Sequence, residues 1–360
     1  MKINDRKNLF LINLGGPRTS AEIEPFLRDL FLDPFVFDLP LPEFVRKKLA
    51  LWITKRRTPK VRKTYESMGF GGGSPLYAET VRQAEALKKI LKEKYAEDWN
   101  VSTYMSCGYP NIRDLKNFPP SSHNVYLPLY PQFSRSTVLS TYNIIKQMFG
   151  DCPVASGGVI SHFGMDERFL EITANFIYKY LTNQLDLTNF LHAQSYSKTL
   201  NWKNVDLVFS AHGIPMRLIK KGDCYTKELE YSVRKIEEKL RAKGFVGGIH
   251  LSYQSKVGPA RWTEPNTLVI LERLAKQNKD IVIYPISFVS DHLETLEEIG
   301  IEFKELSAHF GANSFHRVPA LGTHLPFLTY LAEVVSAKKN KADECVCKKY
   351  GGEMLGKCPI

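Results

Sequence analysis

Three short segments occur twice along the chain in the same order, and this duplication limits the fold more than any other feature. LFLINLGGP (9–17) is echoed by LVFSAHGIP (207–215), VSTYMSCGYP (101–110) by IHLSYQSKVGP (249–259), and NVYLPLYPQFS (124–134) by DIVIYPISFVS (280–290). Each is an apolar run closed by a glycine, proline or serine turn, and charged stretches of helical length separate them. Such βαβ alternation predicts parallel sheets covered by helices. Two copies in one order predict an α/β chain of two Rossmann-like domains, each a parallel sheet flanked by helices. The expected divisions are a first domain over 1–160, with an insertion at about 20–80, and a second over 161–337. A closing helix is expected at 315–335 and a separate tail at 338–360.

At 360 residues the chain suits two domains of ordinary size. With 43% hydrophobic and 24% charged residues it has the composition of a soluble globular protein. The sequence has no apolar run of the roughly 18 residues a membrane span needs. MKINDRKNLFLINLGGP runs into a Gly-Gly-Pro turn, as a first strand does and a signal peptide does not. Six cysteines spread over this length make no secreted disulfide framework, so a cytoplasmic location is expected.

The net charge of +11 is uneven. Arg46, Lys47, Lys48, Lys55, Arg56, Arg57, Lys60, Arg62 and Lys63 form a basic block with no acidic residue among them. Just before it lies DPFVFDLPLPEFV (33–45), and Leu49, Leu51, Trp52 and Ile53 continue the apolar character. Apolar plus cationic is the make-up of a surface that meets an anionic membrane or an amphiphilic anionic ligand, at the inner face of a membrane for a cytoplasmic protein. An amphipathic helix with a solvated basic face has the same composition. Nucleic acid is not an expected partner, because the basic block is local and no recognition motif accompanies it.

In open α/β sheets ligands bind beyond the carboxyl ends of the strands. Asn13 and Leu14, Tyr130, His212, Gln254 to Lys256, and His292 with Glu294 all fall at such ends, and are expected to face one another across a cleft between the domains. SAHGIP puts His212 before a glycine able to take a tight turn, and SDHLETLEEIGIE supplies His292, Glu294, Glu298 and Glu302. A helix begun near Ser290 or Asp291 puts Glu294 and Glu298 one turn apart, where like charges repel by a few tenths of a kcal/mol. A helix stop is expected at Gly300. An imidazole facing a carboxylate is a proton-accepting pair and also suits a divalent first-row metal. For the outer glutamates a solvated helix face and an acidic path from solvent both remain open.

LFLINLGGP, LRDLFLDPFVFDLP, GGGSPL, YPQFS, FSAHGIP, YQSKVGPARW and PISFVSDHLETLEEIGIE together resemble the ferrochelatase signature set, in family order over roughly residues 8–335. The resemblance implies a lyase that inserts Fe2+ into protoporphyrin IX in the porphyrin cleft between the domains, releasing two protons, the last step of haem biosynthesis. It implies His212 and Glu294 as the catalytic pair and as contacts of the iron substrate, with Glu298 and Glu302 as a relay. Leu14, Tyr130, Trp262, His292 and Asp291 are implied as substrate-binding residues, and the insertion as a lip that touches the bilayer peripherally in membrane-associated members. Relatives that metallate coproporphyrin III tend to have a tyrosine where this chain has Leu14, and tend to lack the lip. A non-catalytic tetrapyrrole carrier on the same fold needs no opposed carboxylate, which Glu294 supplies. A nucleotide enzyme is disfavoured because no G-x-G-x-x-G follows the first strand.

The sequence departs from the family in two places. Ser106 and Cys107 stand where many members carry an arginine, and the tail holds Cys345, Cys347 and Cys358. Some ferrochelatases bind a 2Fe-2S cluster with three tail cysteines and one internal cysteine just after the YPQFS motif, a position that is Arg135 here. Cys107 is the best-placed substitute, with Cys152 and Cys224 farther off. Three close cysteines suggest a cluster, while idle or redox-active thiols are the other reading.

Overall fold

The computed structural model describes residues 7–118, 123–149, 158–191, 193 and 201–338. The described residues form two compact units, one of those up to Phe163 together with those from Leu325 onward, the other of those between Gly164 and His324.

The first unit runs β1 (Lys7–Asn13), α1 (Ile23–Leu32), α2 (Glu43–Ser67), α3 (Leu76–Tyr95), β2 (Trp99–Met105), β3 (Asn124–Pro128), α4 (Ser140–Phe149) and β4 (Gly158–Val159). Its four strands are parallel in the order β2-β1-β3-β4. Leu9, Phe10, Leu11 and Ile12 are wholly buried, because a central parallel strand is covered on both faces. Phe10 and Ile12 pack with Ile112, Leu115, Tyr126, Ile144 and Ile145 in one core. Each such side chain contributes ~1.5–3 kcal/mol by leaving water. The Gly-Gly-Pro turn after β1 is tight for a physical reason: Gly15 has φ +98°, and a Cβ there would meet the Cys107 carbonyl oxygen at 2.0 Å.

The second unit repeats the plan with α5 (Glu167–Leu181), β5 (Asp206–His212), α6 (Met216–Lys220), α7 (Tyr225–Ala242), β6 (Ile249–Gln254), α8 (Thr267–Ala275), β7 (Asp280–Pro285), a π-helix (Glu294–Phe303), α9 (Lys304–His309) and β8 (Ser314–Arg317). The order β6-β5-β7-β8 is again all parallel and places the second unit's strands as the first unit's are placed. The duplicated segments of the sequence are thus duplicated strands.

Three expectations change. No single helix fills 315–335: β8 ends at Arg317, and the closing helix is α10 (Leu325–Lys338). That helix packs on α3 and belongs to the first unit, whereas a contiguous division gave it to the second. Gly300 does not stop the SDHLETLEEIGIE helix, which winds as a π-helix through it, Phe303 anchoring its far end in the core. A wider, five-back hydrogen-bonding pattern is what π-winding means, and such turns concentrate at functional sites.

The apolar-basic insertion becomes α1 and α2. Arg46, Ala50, Thr54, Thr58 and Tyr65 form the buried stripe of α2, and the Arg46 guanidinium donates to the Leu32 carbonyl at 2.9 Å. Phe44 (66% exposed), Leu51 (44%) and Trp52 (56%) stand in water outside that stripe, among exposed Lys47, Lys48, Lys55 and Arg56.

Candidate active site

β5 and β6 end level with one another, His212 opposite Gln254 in register. The turn after His212 is crowded, since a Cβ at Gly213 would lie 2.9 Å from the Gln254 carbonyl oxygen and 3.2 Å from the Trp262 ring. Glycine there lets the chain pass, and the passage aims the histidine out of the strand end. The His212 N–H donates to the Ser287 hydroxyl at 3.0 Å, and its Nδ1 lies 2.6 Å from the Gly213 carbonyl oxygen. A carbonyl can only accept, so Nδ1 carries a proton, and Nε2 is the ring nitrogen left to exchange one.

That nitrogen faces Glu294. His212 Nε2 lies 3.6 Å from one carboxylate oxygen, and His292 Nε2 lies 3.6 Å from the other. One carboxylate therefore stands between two imidazoles. Burial works against its charge, but the His212 and His292 charges outweigh burial and take the Glu294 carboxyl down to about 2. Burial also opposes a charge on His292, yet Glu294 beside it raises the imidazole above its ordinary value. His292 Nδ1 sits 3.1 Å from the Ser290 carbonyl oxygen, and Phe288 packs edge-on at 4.5 Å between ring centroids. Trp262 is tilted against His212 at 6.3 Å, with its indole N–H buried and without a partner among the described residues.

Glu298, half-buried on the π-helix, is a different carboxyl. Burial and the neighbouring Glu294 charge raise its pKa, opposed by hydrogen bonds from Ser255 and Gln254. Glu302 lies exposed, one further step along the helix.

The structure brings His212, Glu294, His292, Trp262 and Glu298 together in the second unit. Asp291 is placed otherwise than a substrate contact would be. It is 3% exposed, and its Oδ1 accepts from Arg317 at 2.8 Å and from the Thr295 hydroxyl at 2.7 Å. A buried ion pair holding the start of the π-helix is what these contacts make of it. Ser287 and Phe288 lie within the PISFVS motif without being singled out by it, and Arg317 lies outside every motif. A buried acid requires a cation, but nothing local in the sequence points to an arginine 26 residues on. In the first unit, Leu14 is half-buried after β1 and Tyr130 is 9% exposed after β3.

The surroundings of Cys107 disfavour a free thiolate. It is 1% exposed, and burial together with the Asp33 and Asp29 charges pushes its thiol well above the ordinary value. Cys224 is half-exposed near Glu228, while Cys152, Cys345, Cys347 and Cys358 lie outside the described residues.

The ferrochelatase family profile matches residues 6–339. The chain is 58% identical over 358 residues to a ferrochelatase of Leptospira biflexa, covering 99% of each chain. It is 48% identical over 363 residues to one of Leptospira borgpetersenii, again covering 99% of both. It is 36% identical over 341 residues to the Arabidopsis thaliana ferrochelatase-1, chloroplastic/mitochondrial, covering 92% of this chain and 69% of that one.

Proposed function

The chain belongs to the ferrochelatase family and is a lyase that inserts iron into a porphyrin, and on that premise we propose protoporphyrin IX as its substrate and His212 with Glu294 as its catalytic pair. The observation that carries the pair is the 3.6 Å separation between His212 Nε2 and the Glu294 carboxylate.

Metallation replaces two pyrrole N–H protons with one dehydrated Fe2+, so the site must take up two protons and steady a dication. His212 Nε2 is the nitrogen for the first task, the other being committed to Gly213. A carboxylate held ionised down to about pH 2 is a weak base and a good counter-charge. Glu294 therefore steadies either the incoming iron or the His212 imidazolium formed when the first proton arrives. Glu298, whose raised pKa suits a carboxyl that gains and loses a proton, serves as the relay, with exposed Glu302 beyond it. A planar macrocycle shields its nitrogens, so bending the ring exposes their lone pairs. Trp262 beside His212 is a stiff wall for that purpose, and Leu14 and Tyr130 are further proposed contacts of the substrate.

Protoporphyrin is favoured over coproporphyrin by Leu14 and by the exposed apolar face of α2. Phe44, Leu51 and Trp52 set among lysines and arginines suit peripheral contact with an anionic membrane, and the basic side chains suit the propionates of the substrate. Among the described residues no helix is long and apolar enough to cross a membrane. A 2Fe-2S cluster would rest on Cys345, Cys347 and Cys358, with Cys107 ill-suited as the fourth ligand for the reason given above. Assay under anaerobic conditions with Fe2+ and each porphyrin tests the substrate: faster turnover of protoporphyrin IX is expected, and preference for coproporphyrin III would overturn the assignment.

A further inference from the structure

Gln254 is the last residue of β6 and is 1% exposed, yet its amide meets four polar groups. The Ser210 hydroxyl donates to Oε1 at 2.7 Å. Nε2 donates to the Glu294 carbonyl at 3.1 Å and to Glu298 Oε2 at 2.9 Å, and its contact with the Ser255 hydroxyl is the longest, at 3.5 Å. The next residue adds two more ties: the Ser255 N–H donates to Glu298 Oε1 at 2.9 Å, and the Ser255 hydroxyl donates to Oε2. Ser255 has φ +62°, a left-handed conformation uncommon outside glycine, and both of its donors end on Glu298.

The orientation of the amide follows from chemistry. Reversed, its oxygen would face the Glu294 carbonyl and the Glu298 carboxylate, and the donors would be wasted on Ser210. Ser210 is itself fixed, its Oγ lying 3.0 Å from Thr267 Oγ1, which lies 3.0 Å from Ser252 Oγ. All three hydroxyl residues are wholly buried. A row of buried hydroxyls thus ends on an amide whose other face holds the π-helix.

We propose that Gln254 is a positioning residue: it ties the end of β6 to the π-helix and holds the Glu298 carboxylate and the Glu294 backbone in one geometry, with its own orientation set by Ser210. The inference rests on the reading of Glu294 and Glu298 as the carboxylates that handle iron. The Gln254 amide gives the Glu294 carbonyl a donor from outside the π-helix, at the helix's first residue. Without the tie, Glu298 can rotate away, and the step that suffers is iron delivery, not porphyrin binding.

The test is a kinetic cycle on the full-length enzyme with Gln254→Leu, Glu298→Gln and the double variant, varying Fe2+ and porphyrin separately. Gln254→Leu is expected to lower kcat/KM for iron by about tenfold or more while the porphyrin KM stays within about twofold. The double variant is expected to be no worse than the poorer single one, within about twofold, because the two residues act as a unit. Ser210→Ala, which leaves the amide in place but removes its anchor, is expected to show a smaller loss of the same kind. It takes the place of Gln254→Leu in the cycle if that variant does not fold. Multiplicative losses in the double variant, or equal rises in both KM values with a lowered Tm, would overturn the inference while leaving Glu298 its role. Unchanged turnover in Glu298→Gln would overturn the reading of Glu298 and this inference with it.

Discussion

His292 and His212 reach the same Glu294 side chain, each at 3.6 Å and each on a different oxygen. Glu294 comes from the start of a π-helix and His212 from the end of a strand, so the cluster ties the two elements together.

Stability should follow this cluster with pH. The Glu294 carboxyl falls to about 2, so its contribution is present above the ordinary carboxyl value of 4.5 and fades as pH drops toward 2. The His292 value is raised above 6.5, so its contribution is complete below 6.5 and is lost as pH climbs through the raised value. The pair therefore stabilises most between those two ordinary values. Urea midpoints of the wild type and His292→Asn should differ more at pH 5.5 than at pH 8.5, and an equal difference at both would remove the ion pair from the account.

Asp291 and Arg317 should behave as a structural pair. Arg317→Met leaves a buried carboxylate without its cation, a defect that costs about 3–5 kcal/mol. A large fall in Tm is expected, with the porphyrin KM of the folded fraction unchanged. If Tm hardly moves and the porphyrin KM rises, Asp291 is a substrate contact after all.

Leu51 and Trp52 are the side chains to change on the lip, because Ile53, which continues the apolar run in the sequence, is half-buried. Leu51→Ser with Trp52→Ser should weaken binding to anionic vesicles several-fold and leave Tm within a few degrees. Unchanged vesicle binding would show that this face serves something other than a membrane.

Cys107→Ser should leave any iron and acid-labile sulfide in the anaerobically purified protein unaltered, since its thiol is buried and held neutral by its acidic neighbours. Loss of colour in that variant would restore Cys107 as a cluster ligand.

The strands were legible because a parallel strand buried on both faces is a near-continuous apolar run, and LFLIN and LVFSA read as such. His212 was legible as a chemistry-bearing residue at a strand end, whereas Glu294, expected at one too, is the first residue of the π-helix that follows β7. What escaped depended on distance or on winding. Nothing near α10 says that it packs on α3, more than 200 residues back. Gly300 reads as a stop by local propensity, but burial of Ile299 and Phe303 on either side carries the helix through it. Asp291 reads as part of an acidic motif until Arg317 is folded against it. Gln254 looked like one residue of a motif, and only the fold shows its amide on the Glu298 carboxylate.

The central claim is that His212 and Glu294 carry the proton and metal chemistry together. Anaerobic turnover of His212→Ala and Glu294→Gln with Fe2+ and protoporphyrin IX tests it most directly. Each variant should lose at least about a hundredfold in kcat, the scale expected for a positioned acid–base group, while still binding porphyrin and melting near the wild-type temperature. Turnover within a few-fold of the wild type in either variant would contradict the account.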